Sequence, residues 1–336
     1  MVGRNTTIDL MRLAGILLII LAHVNPPNVL FQIRTFDVPM MVFVSGMSYY
    51  YSGKTNVRIV PYILSRFKRL VLPVWVFFSL FFSFIYAFGV TSFTNDLTIK
   101  TIILTFMLSG FGYVWIIKVF LLVALLSPLL TLLANRVSGY FISILAFFFL
   151  MISLLISKLI PHPTPFIIYF LINDIIIPCI SYGSVFILGY KALSLSKKQI
   201  YFSIAMFSTI FIAYIACNYF QYGRIDMPQS YKYPPTLYYV AFSLIMTFTV
   251  FMIIKSLKIG KINPLFEFAS SNTIWIYLWH IPVVEFFKRN DSNTNFIIKY
   301  LSAIVIASTI VYIQTLIVNK IVGSKKKSII KTVFTG

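Results

Sequence analysis

Charged side chains are scarce in this sequence. Only 11% of its 336 residues are Asp, Glu, Lys or Arg, whereas 59% are hydrophobic. A soluble domain typically has about a quarter of its residues charged. Apolar runs of about twenty residues, long enough to cross a bilayer as a helix, recur from one end of the chain to the other. The composition therefore excludes a soluble globular domain and indicates a polytopic membrane protein.

Acidic residues and cysteines are rarer still. Eight Asp and Glu stand against 28 Lys and Arg, and the two cysteines, Cys179 and Cys217, lie inside apolar segments. Two isolated cysteines indicate neither a disulfide framework nor a metal cluster, so we expect no metal. The charge of +20 does not indicate nucleic acid, because the basic residues are spread over short loops between apolar segments. It favours lipid headgroups and anionic cofactors as partners.

The apolar runs predict an all-α membrane bundle of about ten transmembrane helices. They are centred in residues 8–25, 36–52, 68–90, 113–134, 139–160, 174–191, 200–220, 237–256, 264–286 and 296–321. Two further apolar stretches, 101–110 and 166–172, are too short to span, so we expect them to be re-entrant or interfacial. The first run precedes "HVNPPN" rather than a small-residue cleavage site, so we expect it to be retained.

The basic residues predict the orientation of the bundle. With a cytoplasmic N-terminus, eighteen of the 28 Lys and Arg fall inside, eight fall outside, and Arg12 and Lys118 lie within spans. This bias follows the positive-inside rule and predicts that both termini are cytoplasmic. We predict a single transmembrane domain over residues 1–322 and a basic cytoplasmic tail over 323–336.

The first span carries three polar groups that hydrocarbon penalises: Asp9, Arg12 and His23. Eleven residues separate Arg12 from His23, about three turns, which puts both on one helix face about 16 Å apart along the axis. Asp9 is placed to pair with Arg12. Because a charge facing lipid costs several kcal/mol, this face must look into protein or water. Taken singly, Arg12 reads as a snorkelling anchor and His23 as an interfacial histidine, but their shared face favours function.

Arg12, ten intervening residues and His23 match the arginine-X10-histidine motif of the acyltransferase family 3 membrane proteins, which this sequence resembles. The segment "IDLMRLAG" looks like that family's "LDxLRG" opening, and "PMMVFVSGMSYY" is similar to its second-helix "FFxxSG", with Ser45 and Gly46 in the matching places. "IYLWHIP" at 276–282 looks like its late "YLWH" segment.

Arg66 and Arg69 match the family's arginine pair on the cytoplasmic side of the third helix. Two departures stand out. Leu13, Ala14 and Gly15 occur where members usually have Gly directly after Arg, and the appended periplasmic hydrolase-like domain of some members is not seen. We therefore expect the membrane domain itself to bind the acceptor.

The resemblance implies transfer of an acyl group, usually acetyl, from cytoplasmic acetyl-CoA to a carbohydrate hydroxyl at the outer face of the bacterial inner membrane. The acceptor would be an O-antigen, capsule or exopolysaccharide unit, either still linked to its lipid carrier or already part of the finished polymer. Arg66 and Arg69 would bind the donor's phosphates. Arg12 is assigned to donor binding, with oxyanion stabilisation as the alternative.

His23 suits the general base, because imidazole titrates near neutral pH. Asp174, near the outer start of the predicted sixth helix, is the candidate to orient it, with a helix N-cap as the competing role. Glu285, His280 and Ser45 are candidates for the acceptor side, with structural roles for Glu285 and His280 as the alternative.

A transporter is the rival class. A flippase for lipid-linked sugars would use Arg12 and the basic loops to hold an anionic headgroup. We see neither inverted repeats nor the long outer loop expected of a glycan polymerase or ligase. These absences and the arginine-to-histidine spacing favour acyl transfer.

Overall fold

The computed structural model describes residues 4–53, 58–90, 97–160, 165–291, 293–323 and 328–335. These residues form helices joined by short turns, with no strand among them. The helices are α1 Thr6–Ala22, α2 Asn28–Tyr51, α3 Ile59–Ala87, α4 Ile99–Phe106, α5 Trp115–Asn135, α6 Phe141–Leu159, α7 Phe166–Ala192, α8 Lys197–Tyr222, α9 Leu237–Ser256, α10 Pro264–Ser271, α11 Thr273–Asn290, α12 Phe296–Val322 and α13 Ile329–Thr335.

Among the described residues, eight helices are long and apolar enough to cross a membrane by length and composition: α2, α3, α5 to α9 and α12. This confirms the predicted all-α membrane bundle. The predicted first span corresponds to α1, which has 17 residues. The predicted ninth span is broken at Asn272 into α10 and α11. Asn263 caps α10 by accepting a hydrogen bond from the Leu265 amide at 2.9 Å.

Several boundaries differ from the prediction, and the second span begins at Asn28 rather than at 36. The stretch 166–172 is not a separate element but the beginning of α7, which continues through a wider turn at Ile172–Ile176. The stretch 101–110 is helical only to Phe106, so α4 is too short to span, as predicted. The third helix begins at Ile59 rather than 68, so Arg66 and Arg69 lie about two and three turns inside α3 rather than at its start.

The chain divides into two compact units. The first comprises Met1–Leu18, Pro27–Val57 and Leu122–Ile262, and the second comprises Ile19–Pro26, Arg58–Leu121 and Asn263–Gly336. The boundary falls within α1 and within α5. Arg12 therefore belongs to the first unit and His23 to the second.

In the first unit, α2 and α7 approach until their backbones touch. A Cβ at Gly189 would lie 2.0 Å from the Phe43 carbonyl oxygen, and a Cβ at Gly46 would lie 2.3 Å from the Phe186 carbonyl oxygen. Small residues allow such approaches between membrane helices, where dispersion contacts replace the hydrophobic effect. Gly46, the glycine of the "SG" segment, is therefore required by helix packing.

A buried ion cluster closes one end of the first unit. Asp37, in α2, pairs with Arg34 at 2.8 Å and with Lys232, from the turn before α9, at 3.2 Å. All three side chains are buried. Because a buried charge is stable only when paired, this cluster ties the turn before α9 to the first half of α2. Both segments belong to the predicted outer side, so the contact agrees with the predicted topology.

The glycine contact between α2 and α7 is testable on one helix. Gly189→Ala should lower the free energy of unfolding by about 1–3 kcal/mol or more, because neither backbone can yield to the added methyl group. Gly183→Ala, also in α7, is the matched control: its Cβ would meet only the end of the Leu130 side chain, with Cδ2 at 3.4 Å and Cδ1 at 3.6 Å. Thermal unfolding of the purified proteins in detergent measures both. Equal melting temperatures would contradict the backbone contact.

Candidate active site

The turn between α4 and α5 is folded tightly onto α4. The Thr105 hydroxyl donates to the Thr101 carbonyl at 2.7 Å and accepts from the Phe111 amide at 2.9 Å. Gly110 lies so close to α4 that a Cβ there would be 2.5 Å from the Thr101 carbonyl oxygen. These contacts fix the path of residues 107–114 and thereby the position of Tyr113.

Tyr113 lies against His23. Helix α1 ends at Ala22, and the His23 amide donates to the Ile20 carbonyl at 3.0 Å, so His23 sits in a tight terminal turn rather than on the helix. The ring centroids of His23 and Tyr113 are 4.7 Å apart, and those of His23 and His280 are 5.4 Å apart. His23 is half-buried, so its imidazole combines fixed neighbours with partial access.

Tyr113 is held by the carboxylate of Glu285. The Tyr113 hydroxyl donates to Glu285 Oε1 at 2.7 Å, and Arg289 Nε donates to Oε2 at 2.9 Å. Glu285 is 1% exposed, so it needs both partners. Burial, and secondarily the Glu285 charge, raise the pKa of Tyr113 far above its ordinary value, so the phenol stays protonated and keeps donating.

His280 is fully buried beside this network. Its Nδ1 lies next to the Tyr277 carbonyl oxygen, which can only accept, so Nδ1 carries the proton. Its Nε2 has no hydrogen-bond partner among the described residues. The Tyr277 hydroxyl in turn donates to the Tyr113 carbonyl. Helix α11 thus contributes Tyr277, His280, Glu285 and Arg289 to the surroundings of His23.

A cavity of about 490 Å³ lies elsewhere in the second unit, between α3 and α13. The described residues that line it are Pro61, Leu64, Ser65, Lys68, Arg69, Ser328, Ile329 and Thr332. Arg66 does not line it; its guanidinium lies 4.8 Å from the centre of the Tyr62 ring. Of the two predicted phosphate-binding arginines, the cavity therefore contains Arg69.

The cavity and the histidines lie at different levels of α3 and α11. Arg69 precedes Phe77 by eight residues, about 12 Å along the helix axis. Phe77 packs edge-on against Trp279 with ring centroids 5.4 Å apart, and Trp279 precedes His280 in the chain. The cationic cavity is thus roughly two turns of α3 away from the level of His280.

In the first unit, Arg12 pairs with Asp9 at 3.6 Å, as predicted, and donates to the Ser48 hydroxyl at 2.6 Å. Arg4 also reaches Asp9, at 2.6 Å. The Ser45 hydroxyl donates to the Val42 carbonyl within α2 at 2.7 Å.

Asp174 is half-buried in the wider turn of α7. Since α7 begins at Phe166, Asp174 is not an N-cap. Its role beside His23 stays a prediction, as do the acceptor-side roles of Ser45, His280 and Glu285.

Sequence reasoning brought His23, His280 and Glu285 forward but missed Tyr113, Arg289 and Lys68. Tyr113 is one of 21 tyrosines, and its importance depends on a turn that only the folded chain reveals. Arg289 is one of the eight basic residues that the charge distribution predicts on the outer side. Its spacing of four residues from Glu285 on one helix was a usable signal.

Comparison with protein families gives one result. A family model described as an acyltransferase domain matches residues 5–316, nearly the whole chain. No curated protein and no solved structure matches the chain. The matched range includes α1 and all four of the α11 residues around His23, and it ends before α13.

The two cations next to Glu285 should contribute unequally to the stability of the fold. The Arg289 side chain is 15% exposed. Arg289→Gln should lower the free energy of unfolding by about 3 kcal/mol, because the buried carboxylate of Glu285 loses its closest positive charge. Lys288, which is 64% exposed and 3.6 Å from Glu285, is the control. Lys288→Gln should change the free energy of unfolding by at most about 1 kcal/mol. Denaturation in detergent compares them, and equal losses would contradict the assigned pairing.

Proposed function

Because the chain belongs to acyltransferase family 3 and is a multi-pass membrane acyltransferase, we propose that it transfers acetyl from acetyl-CoA to a carbohydrate hydroxyl. In this proposal His23 is the general base. The acceptor is an O-antigen, capsule or exopolysaccharide unit, and the protein works in the bacterial inner membrane with its donor on the cytoplasmic side.

The observation that carries this proposal is the setting of His23. A half-buried imidazole lies against Tyr113, and Tyr113 is fixed by a buried carboxylate. A catalytic histidine needs fixed surroundings on one side and an accessible nitrogen on the other. Of the two histidines in the cluster, His280 is fully buried and its Nδ1 is committed to the Tyr277 carbonyl, so His23 is the one that suits substrate contact.

The proposed reaction proceeds by direct transfer. His23 takes the proton of the acceptor hydroxyl while the hydroxyl oxygen attacks the thioester carbonyl carbon. The tetrahedral intermediate then collapses, the carbon–sulfur bond breaks, and the protonated imidazole returns its proton to the departing thiolate. The products are the O-acetyl ester and free coenzyme A, and His23 is restored.

Glu285 supports the base through Tyr113 rather than by touching substrate. Its burial and its two hydrogen bonds favour this positioning role over direct acceptor binding. The Nε2 of His280, which has no hydrogen-bond partner among the described residues, is an acceptor that can receive a hydrogen bond from His23.

The donor is assigned to cationic groups. Arg69 lines the cavity beside α13, Arg66 is held over Tyr62 two turns into α3, and Arg12 remains the third donor-binding candidate. The separation of about two helical turns between Arg69 and the level of His280 suits an extended pantetheine arm, with its phosphates at one end and its thioester at the other.

The alternative is a flippase for lipid-linked sugars. Membership of an acyltransferase family favours covalent transfer, and the clustering of His23, Tyr113 and His280 offers proton chemistry that a flippase does not need. The two functions differ in their product, because only a transferase leaves the acetyl group on the sugar.

Transfer of label from acetyl-CoA to a surface-glycan acceptor tests the proposal. Purified wild-type protein should release free coenzyme A and label the acceptor, whereas His23→Gln should lose about 10²- to 10⁴-fold in turnover, because general-base catalysis is removed. Tyr113→Phe keeps the ring but removes the Glu285 hydrogen bond, and should lower turnover to a smaller extent.

Tyr140→Phe is the control, since Tyr140 lies at the start of α6 in the first unit. It should leave turnover unchanged. Label that stays entirely on the donor with wild-type protein would contradict acyl transfer and favour the flippase. Full activity of His23→Gln would contradict the assigned base.

A further inference from the structure

The C-terminal helix α13 lies outside the matched acyltransferase range but is packed into the second unit. The Trp275 indole donates to the Val333 carbonyl at 2.8 Å, and its ring stacks on Phe334 with centroids 5.6 Å apart. The Gln314 side chain donates to the Phe334 carbonyl at 2.7 Å. The predicted basic tail therefore contains a helix anchored by α11 and α12.

This anchoring makes α13 one wall of the cavity beside α3. Ser65, Lys68 and Arg69 lie on one face of α3, since their spacing is i, i+3 and i+4. Ser328 and Thr332, four residues apart, face the same cavity from α13 and the residue before it. The described lining holds two cations and three hydroxyl groups and no carboxylate. Its chemistry therefore selects an anion.

The cavity has the size of a small-molecule site. Its volume of about 490 Å³ falls within the usual range of about 300–1,000 Å³ for ligand pockets. Lysine and arginine side chains with neighbouring hydroxyl groups are typical ligands of phosphate oxygens. The Thr332 hydroxyl donates to the Ser328 carbonyl at 3.1 Å, and by rotation it can donate to a phosphate instead.

We propose that α13 completes the donor site: Ser328 and Thr332, facing Lys68 and Arg69, bind the phosphate groups at the nucleotide end of acyl-CoA. This rests on the proposed function for the identity of the donor. It adds Lys68 as a phosphate ligand beside Arg69, and it gives the C-terminal segment a part in substrate binding rather than only in membrane anchoring. Arg66, stacked on Tyr62, lies outside this set.

Binding to the full-length protein in detergent tests this without turnover. Coenzyme A and adenosine 3′,5′-bisphosphate are the probes, measured by titration calorimetry. Lys68→Gln should weaken the binding of both probes about tenfold or more, as expected for losing a charge-assisted hydrogen bond. Thr332→Val, which keeps the side-chain shape, should weaken both severalfold.

Lys331→Gln is the matched control. Lys331 also lies in α13 and its replacement removes the same charge, but it does not line the cavity. It should bind both probes as the wild type does. Melting temperatures near that of the wild type would establish that each variant is folded. Should Thr332→Val fail to fold, Lys68→Gln, on the opposite wall, still decides whether the cavity binds the phosphates.

The outcomes separate the two proposals. Wild-type acetyl transfer together with unchanged binding by both variants would overturn the role of α13 and leave the proposed function standing. Weakened binding by the variants without any transfer would support the site and overturn the acetyl-transfer proposal. Failure of the wild type to bind either probe would overturn the site.

Discussion

The buried carboxylate of Glu285 is the constraint on which the arrangement around His23 depends. A carboxylate that is 1% exposed must be compensated, and here Arg289 supplies the charge while the Tyr113 hydroxyl supplies a hydrogen bond. Tyr113 comes from the turn that Gly110 and Thr105 fold onto α4. Its ring then limits where His23 can lie. Three separate segments of the chain are thereby brought to one point by a single buried charge.

The second unit contains two chemically different groups of residues, one around His23 and one in the cavity beside α13, about two turns of α3 apart. Around His23 the described residues place the buried acid Glu285, which is paired with Arg289, and a second imidazole, His280, together with Tyr113 and Tyr277. Beside α13 the described cavity lining holds Lys68 and Arg69 with three hydroxyl groups and no carboxylate. The first arrangement suits proton transfer and the second suits phosphate binding. The proposed acyl-CoA donor would need both, separated by the length of its pantetheine arm, and this favours the proposed acyl transfer over transport.

Much of the fold follows from composition alone, because hydrocarbon requires long apolar helices whose backbone bonds are internal. The predicted spans over 237–256 and 296–321 agree with α9 and α12 to within one residue. Prediction failed where local polarity mattered. Asn272 splits the predicted ninth span, and the polar turn at Ile172–Ile176 is accommodated inside α7 instead of beginning a new helix. Apolar patterns cannot resolve such points, because they depend on tertiary partners.

For the site, the sequence was informative about residue types that are rare within spans. His23, His280 and Glu285 stand out because hydrocarbon penalises them, and the structure brings the three together. Tyr113 and Lys68 do not stand out. Tyrosine is common at membrane interfaces and lysine is common in cytoplasmic loops, so each is distinguished only by its contacts. The pairing of Asp9 with Arg12 was predicted from spacing and is confirmed.

The most direct measurement is the O-acetyl content of surface glycan, by mass spectrometry, in cells lacking this protein. The cells are complemented with wild-type protein or with His23→Ala at equal membrane levels. The account predicts that the wild type restores an acetyl ester and that the variant does not. Equal acetylation by both proteins would contradict the role of His23 and, with it, the proposed site.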